Sequence, residues 1–136
     1  MPSAGYSGTP LPQKLGIKEA HNVALIGAPP GLALGALPMG THLSRSLAGK
    51  SLFDVLVVFV TRRADMVARI ATCRPRMTPA AGLWIAWPKR ASGMATDITE
   101  DTVREVALPT GLVDNKVCAI DDTWSGLRLV IRKELR

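Results

Sequence analysis

Two cations and a hydroxyl follow an apolar strand in the second half of the chain. Residues 83–87 are apolar at every position, which is typical of a strand covered on both faces. Pro88 ends this run because proline cannot donate to the hydrogen-bond ladder, and Lys89, Ser92 and Gly93 come directly after it. An ammonium, a hydroxyl and a glycine that lets backbone approach closely would together suit a phosphate or a carboxylate.

The loops after three predicted strands are expected to share one edge of a sheet. Those strands end near Ile26, Val60 and Trp87, and in a parallel sheet ligands bind beyond the carboxyl ends of the strands. The predicted ligand site consists of Gly31, Arg62, Trp87, Lys89, Ser92 and Gly93. The alternative is an ordinary surface turn, since Lys-Arg-Ala-Ser-Gly is a common turn sequence.

A second group of polar residues surrounds a tryptophan at residues 121–126. Aspartate, glycine and serine there are explained by turn chemistry alone. The alternative is a recognition surface for a ligand ring or a second subunit, which would make the protein a homo-oligomer. That surface would consist of Asp121, Asp122, Trp124 and Ser125. If this turn lies at the opposite edge of the sheet from Lys89, the two candidate sites are separate.

No sequence motif identifies a reaction. His21 and His42 stand at the starts of predicted strands without nearby ligand partners, so the sequence predicts no metal site. Cys73 and Cys118 lie in apolar contexts outside any Cys-x-x-Cys pattern, which favours reduced thiols and a cytoplasmic location. A P-loop and a Gly-x-Ser-x-Gly elbow are also missing. The sequence leaves open whether the protein is an enzyme and predicts no cofactor.

Composition favours one domain with anionic partners. The chain has 136 residues and a net charge of +6, and its cations are scattered, so a solvated basic face is the alternative to a nucleic-acid footprint. Residues 23–40 are uncharged but interrupted by Pro29, Pro30 and Pro38, which excludes a membrane helix there.

The pattern of elements predicts the fold. Residues 1–13 are rich in proline, glycine and serine and are expected to form a flexible arm, and residues 14–136 form the domain. Strands are predicted at 23–27, 41–45, 53–60 and 83–87, a helical turn at 32–37, and amphipathic helices at 62–74 and 99–108.

The last two predicted strands, 116–120 and 127–131, are joined too closely for a crossover helix and must pair antiparallel. The expected architecture is a three-layer Rossmann-like α/β sandwich. Its sheet would be mostly parallel, with a C-terminal antiparallel hairpin at one edge.

Several runs of sequence carry a resemblance to a known family. Leu-Trp-Ile-Ala-Trp-Pro-Lys at 83–89, Gly-Leu-Val-Asp-Asn-Lys-Val-Cys-Ala-Ile-Asp at 111–121 and Thr-Trp-Ser-Gly-Leu-Arg at 123–128 resemble the bacterial DUF3052 family. That family has no established activity, so the resemblance implies a bacterial protein and no particular reaction.

The order of the C-terminal elements is also similar to that of class I methyltransferases. The chain departs from their pattern at the expected cofactor turn, where Gly27-Ala-Pro-Pro-Gly replaces Gly-x-Gly-x-Gly. Prolines fix φ and remove amide donors from that turn. The second predicted strand, Thr-His-Leu-Ser-Arg at 41–45, also lacks the acidic ribose-binding residue.

Three functional hypotheses follow from these observations. The first is a cytoplasmic protein that binds an anionic metabolite or nucleotide at the strand carboxyl ends. The second is a non-catalytic module that binds a protein or nucleic acid through the Trp124 turn and the basic C-terminus. The third is a degenerate methyltransferase relative.

Overall fold

The computed structural model describes residues 9–136, and its strands form one six-stranded sheet. Its strands lie in the order β2-β1-β3-β4-β6-β5. In chain order the elements are α1 (Leu11–Leu15), β1 (Asn22–Ile26), β2 (His42–Ser44), β3 (Phe53–Phe59), α2 (Arg63–Cys73), β4 (Met77–Pro88), α3 (Glu100–Ala107), β5 (Leu112–Ala119) and β6 (Trp124–Ile131).

Strands β1 to β4 are mutually parallel, whereas β6 is antiparallel to both β4 and β5. The central strands are the two that are apolar on both faces, and they pair with Leu56 opposite Leu83 and Val58 opposite Ile85. A strand that is covered on both sides is apolar along most of its length, as residues 55–59 and 81–87 are, and these two strands lie at the centre of the sheet. The predicted mostly parallel sheet with a C-terminal hairpin is confirmed.

The two faces of the sheet are covered to different depths. Helices α2 and α3 pack on one face, where Met66, Ile70 and Val103 enter the larger hydrophobic core. On the other face the short helix α1 and the irregular segment 28–40 provide the cover. The protein is therefore a three-layer sandwich with one thick and one thin helical layer, as the Rossmann-like prediction required.

The thin layer differs from the sequence prediction in two respects. The helical turn expected at 32–37 is wrong: Gly35 has φ +84°, a left-handed conformation that interrupts a helix. The arm expected at 1–13 is wrong for its last part, because Leu11 and Pro12 lie in α1 and are buried. Residues 1–8 lie outside the described part of the chain. No helix within residues 9–136 is long and apolar enough to cross a bilayer.

One buried hydrogen bond attaches α1 to the middle of the sheet. The indole Nε1 of Trp84 on β4 donates to the backbone oxygen of Leu15 at 3.0 Å, and Trp84 is fully buried. The bond satisfies both the indole N–H and the last carbonyl of α1, two groups that would be costly to leave unpaired inside the core.

Replacing Trp84 with Ala is expected to lower the free energy of unfolding by about 3 to 5 kcal/mol, because it leaves a large cavity. Trp84→Phe keeps a ring but orphans the Leu15 carbonyl, so a loss of about 1 to 3 kcal/mol is expected. Urea denaturation followed by circular dichroism measures both losses. Val67→Ala on the exposed face of α2 is the control and should change stability by less than about 0.5 kcal/mol. An unchanged midpoint for Trp84→Ala would contradict the buried position of the ring.

Candidate functional site

The two candidate sites predicted from the sequence lie at the same edge of the sheet. Pro88 at the end of β4 pairs with Trp124 at the start of β6, and the Lys89 N–H donates to the Thr123 carbonyl at 2.7 Å. The β5–β6 turn is thus a direct neighbour of the loop after β4. The possibility that the turn occupies the opposite edge is wrong, because β5 runs parallel to β4 and ends where β4 ends.

The loop after β4 uses its polar groups internally. The Ser92 hydroxyl donates to the Lys89 carbonyl at 2.7 Å, and Gly93 ends a 3-10 turn with φ +77° and its N–H bonded to the Arg90 carbonyl. This is turn chemistry of the kind that serine and glycine usually supply. The Lys89 ammonium is partly exposed and has no ion-pair or hydrogen-bond partner among residues 9–136.

The other predicted binding residues occupy different environments. Trp87 is 7% exposed, and its ring belongs to the core beneath α2 and α3. Arg62 is exposed at the residue before α2, and Gly31 is exposed in the loop after β1. These residues surround the sheet edge without forming one wall, and their role in binding stays a prediction.

The β5–β6 turn is also organised from within. One carboxylate oxygen of Asp121 accepts from the backbone N–H groups of Thr123 and Trp124, both at 2.8 Å. The Trp124 ring is 6% exposed and meets Phe59 edge to face, with centroids 5.2 Å apart. Asp122 is exposed, whereas Ser125 pairs with β4 and β5. The geometry favours the turn explanation. For the alternative, a recognition surface, the turn exposes only a narrow edge of the Trp124 ring.

A cavity of about 530 Å³ opens beside this aromatic pair. It lies where β1 and β3 end side by side, and its wall includes Gly27, Thr61, Asp65, Arg69 and Trp124. After β1 the chain moves to one side of the sheet to form β2 and then crosses to form β3 on the other side. Such a reversal of strand order leaves a crevice at the carboxyl ends, the usual ligand position in open α/β sheets.

Sequence reasoning missed most of this wall. Of the predicted binding or recognition residues, Trp124 is the one that lines the cavity. Asp65 and Arg69 are one helical turn apart on α2, and in the sequence they fit the polar, solvated face of an amphipathic helix. The available signal was their position in a helix that begins directly after β3, which places its first turns at the carboxyl edge of the sheet.

Gly27 allows the two strand ends to approach. Its φ is +70°, and a Cβ at this position would meet the carbonyl oxygen of Phe59 at 2.9 Å. Any other residue would be strained by the backbone conformation and would also push β1 away from β3. The predicted glycine turn is therefore used for close backbone packing at the mouth of the cavity.

The N-terminus of α2 already holds an anion from the chain itself. The Asp97 carboxylate accepts from the Arg63 N–H at 2.6 Å, and the neighbouring Thr96 hydroxyl donates to the Thr61 carbonyl at 2.6 Å. These bonds draw residues 96–98 over the start of the helix, where a negative charge is favourable. A bound phosphate would have to compete with Asp97 for this position.

The thiols are unsuited to nucleophilic chemistry. Burial raises the pKa of Cys73 to about 11, and burial also raises the pKa of Cys118. A thiol with a raised pKa holds little thiolate near neutral pH, and the thiolate is the reactive form. Within residues 9–136 no group of three or more histidine, cysteine, aspartate or glutamate side chains is arranged to hold a metal.

Comparison with known proteins finds similarity at the level of structure. No family model and no curated protein matches the sequence. A SAM-dependent methyltransferase from Aquifex aeolicus superposes with a TM-score of 0.61 at 13% identity, covering 88% of this chain and 87% of that one. Fibrillarin from Methanococcus jannaschii gives a TM-score of 0.61 at 10% identity, covering 90% and 69%. Aeropyrum pernix fibrillarin, solved with natively bound S-adenosyl-L-methionine, gives 0.57 at 12%, covering 93% and 70%.

These comparisons show that the chain has a methyltransferase-like Rossmann fold. The architectural likeness inferred from the order of the C-terminal elements is confirmed, whereas the resemblance to DUF3052 stays a prediction. At such low sequence identity the similarity concerns the fold, and the activity has to be argued from the residues of the site.

Two glycines in the loop after β1 separate the effect of backbone conformation from the effect of steric contact. Gly27 and Gly31 both have positive φ, but a Cβ at Gly31 would meet no atom within 4 Å. Gly31→Ala is expected to lower the free energy of unfolding by about 1 to 2 kcal/mol, the cost of a left-handed alanine. Gly27→Ala should cost more, because its Cβ also collides with Phe59. Equal losses in chemical denaturation would show that β1 and β3 are not in close contact there.

Proposed function

We propose that this protein binds a small molecule containing a nucleoside, such as a nucleotide, in the cavity between the ends of β1 and β3. The observation that carries the proposal is the position of the cavity at the reversal of strand order. Its volume of about 530 Å³ lies inside the usual range of ligand pockets, roughly 300 to 1,000 Å³.

The wall offers chemistry that suits both parts of such a ligand. The narrow exposed edges of Phe59 and Trp124 supply aromatic atoms that a base can contact. Arg69 and Asp65 supply one cation and one carboxylate on the same helical face, and both side chains are exposed. A guanidinium binds phosphate or carboxylate oxygens, and a carboxylate accepts from ribose hydroxyls or amino groups.

S-adenosylmethionine is the first ligand to test, because it is a nucleoside with charges of both signs and is named with the structural neighbours described above. The loop after β1 indicates that such a ligand would be bound differently from the way a glycine-rich turn binds it. Pro29 and Pro30 lack the amide donors that a glycine-rich turn offers, and Arg45 follows β2 where an acidic residue would bind ribose. The proposal is therefore for nucleoside binding, and methyl transfer is not part of it.

Isothermal titration calorimetry with adenosine, AMP, S-adenosylmethionine and S-adenosylhomocysteine tests the proposal. Arg69→Ala is expected to reduce the affinity for the best ligand about tenfold, or about 1.4 kcal/mol, because it removes one charge-assisted hydrogen bond. Arg63→Ala is the matched control: it removes an exposed arginine from the same helix and does not touch the cavity wall. A panel without saturable binding contradicts the proposed function.

Lys89→Ala shows whether the ligand extends to the neighbouring loop. The Lys89 side chain is partly exposed and unpaired within residues 9–136, so its removal should leave the melting temperature of the free protein nearly unchanged. If the ligand carries an anion that reaches Lys89, the affinity should fall by about 1.5 to 3 kcal/mol. Unchanged affinity would confine the ligand to the cavity and overturn the predicted role of Lys89.

A further inference from the structure

A second cavity, of about 420 Å³, lies at the opposite end of the strands. Its wall includes Asp54, near the start of β3, and Thr78, near the start of β4, together with the end of α1. This is the face of the sheet that has the thin helical layer, and the short helix leaves part of it open.

Arg128 of β6 contributes a guanidinium to the cavity wall. Its guanidinium lies directly over Gly82 of β4, since a Cβ at that glycine would approach the guanidinium carbon to 2.8 Å. Burial lowers the pKa of Arg128, and the charge of Arg136 nearby acts in the same direction. Arg128 has no hydrogen-bond or ion-pair partner among residues 9–136. A partly buried cation without a counter-ion is unfavourable, so the guanidinium is ready to receive an anion.

Three lysines add to the positive charge around Arg128. The Lys116 ammonium donates to the Lys14 carbonyl at 3.3 Å, the Lys14 ammonium donates to the Ala119 carbonyl at 2.9 Å, and Lys18 is exposed. The Lys116 ammonium has three donors, so it keeps donors beyond the bond described. The cavity thus brings together four cationic side chains, two from residues 14–18 and two that are cross-strand partners in the β5–β6 hairpin.

One carboxylate, Asp54, lies in the wall with the four cations and forms no salt bridge with them among residues 9–136, so the wall keeps an excess of positive charge. The oxygens of Asp54 accept from the Asn22 N–H at 2.9 Å and from the Thr78 hydroxyl at 3.3 Å, which joins the starts of β1, β3 and β4. His21 also lines the cavity, and its Nδ1 accepts from the Lys18 N–H at 3.1 Å. In a neutral ring, Nε2 then carries the proton and is a further donor.

We propose that this cavity binds the phosphate groups of a small phosphorylated molecule. The planar guanidinium of Arg128 offers two parallel donors to a pair of phosphate oxygens, and the Lys116 ammonium supplies a mobile point charge. The concave shape and the limited volume favour a small molecule over a nucleic-acid backbone, which requires an extended basic surface. This site is separate from the nucleoside cavity, so either proposal can fail while the other holds.

Titration of the full chain with inorganic pyrophosphate tests the inference. Calorimetry measures the affinity, and the melting temperature measures the stabilisation by the bound anion. Arg128→Gln and Lys116→Gln are each expected to weaken pyrophosphate binding about tenfold or more, because each removes one charge that contacts the anion. Arg90→Gln and Lys50→Gln are the matched controls. Both residues are exposed, lie outside the cavity wall and change the net charge by the same amount, and both variants should bind as the unmodified chain does.

Equal weakening in all four variants would mean that binding follows net charge alone, and it would overturn the proposal. If Arg128→Gln does not fold, the exposed Lys116 still provides the comparison with Lys50. Binding that is lost at about 0.15 M salt in every form would also overturn the proposal, because an enclosed site is screened less than a surface. A single-stranded oligonucleotide that binds through Arg128 while pyrophosphate does not would overturn the small-molecule assignment.

Discussion

The hydrogen bond between the Trp84 indole and the Leu15 carbonyl joins two parts of the molecule whose sequences are very different. One is a long apolar strand that pairs with β3 on one side and β6 on the other. The second is a helix of five residues, too short to be stable alone. The bond helps to fix where α1 lies, together with the packing of Leu11 and Leu15, and α1 in turn contributes Lys14 and Leu15 to the wall of the cavity that contains Arg128. The position of that cavity therefore depends on the attachment of α1 to the sheet.

The sheet could be predicted from the sequence because its signals are local. Continuous apolar runs in β3 and β4, the threonine that caps α3 through the Thr102 N–H, and the short β5–β6 connection each constrain one element or one pairing. Helix α1 was missed because its signal depends on tertiary structure. Pro10 before the helix and Pro12 in its first turn resemble a flexible segment in sequence, and the packing of Leu11 and Leu15 against the sheet helps to make the helix stable.

Both cavities were harder to predict than the sheet, for a common physical reason. Their walls combine residues that belong to different segments, such as Gly27 with Arg69 or Lys18 with Arg128. In the sequence each of these residues fits a simpler explanation, a turn glycine or a solvated cation. The residues near Lys89 could be predicted as a group because they are adjacent in sequence. In the structure they form a self-contained turn, in which the Ser92 hydroxyl donates to the Lys89 carbonyl. Residues that are close in sequence formed the predicted site, whereas residues that are close only in space line the two cavities.

The unequal helical layers have a consequence for the way in which the protein opens. Helices α2 and α3 bury their apolar faces in the larger core and contact each other, so their release would expose much of that core. The layer formed by α1 and segment 28–40 has little regular secondary structure and can separate in a smaller step. Such a step would uncover one face of the central strands while the other stays packed. Amide protons of α1 would then exchange through a partial opening, before those in β3 and β4. One face of the sheet would thus be exposed to solvent more often than the other.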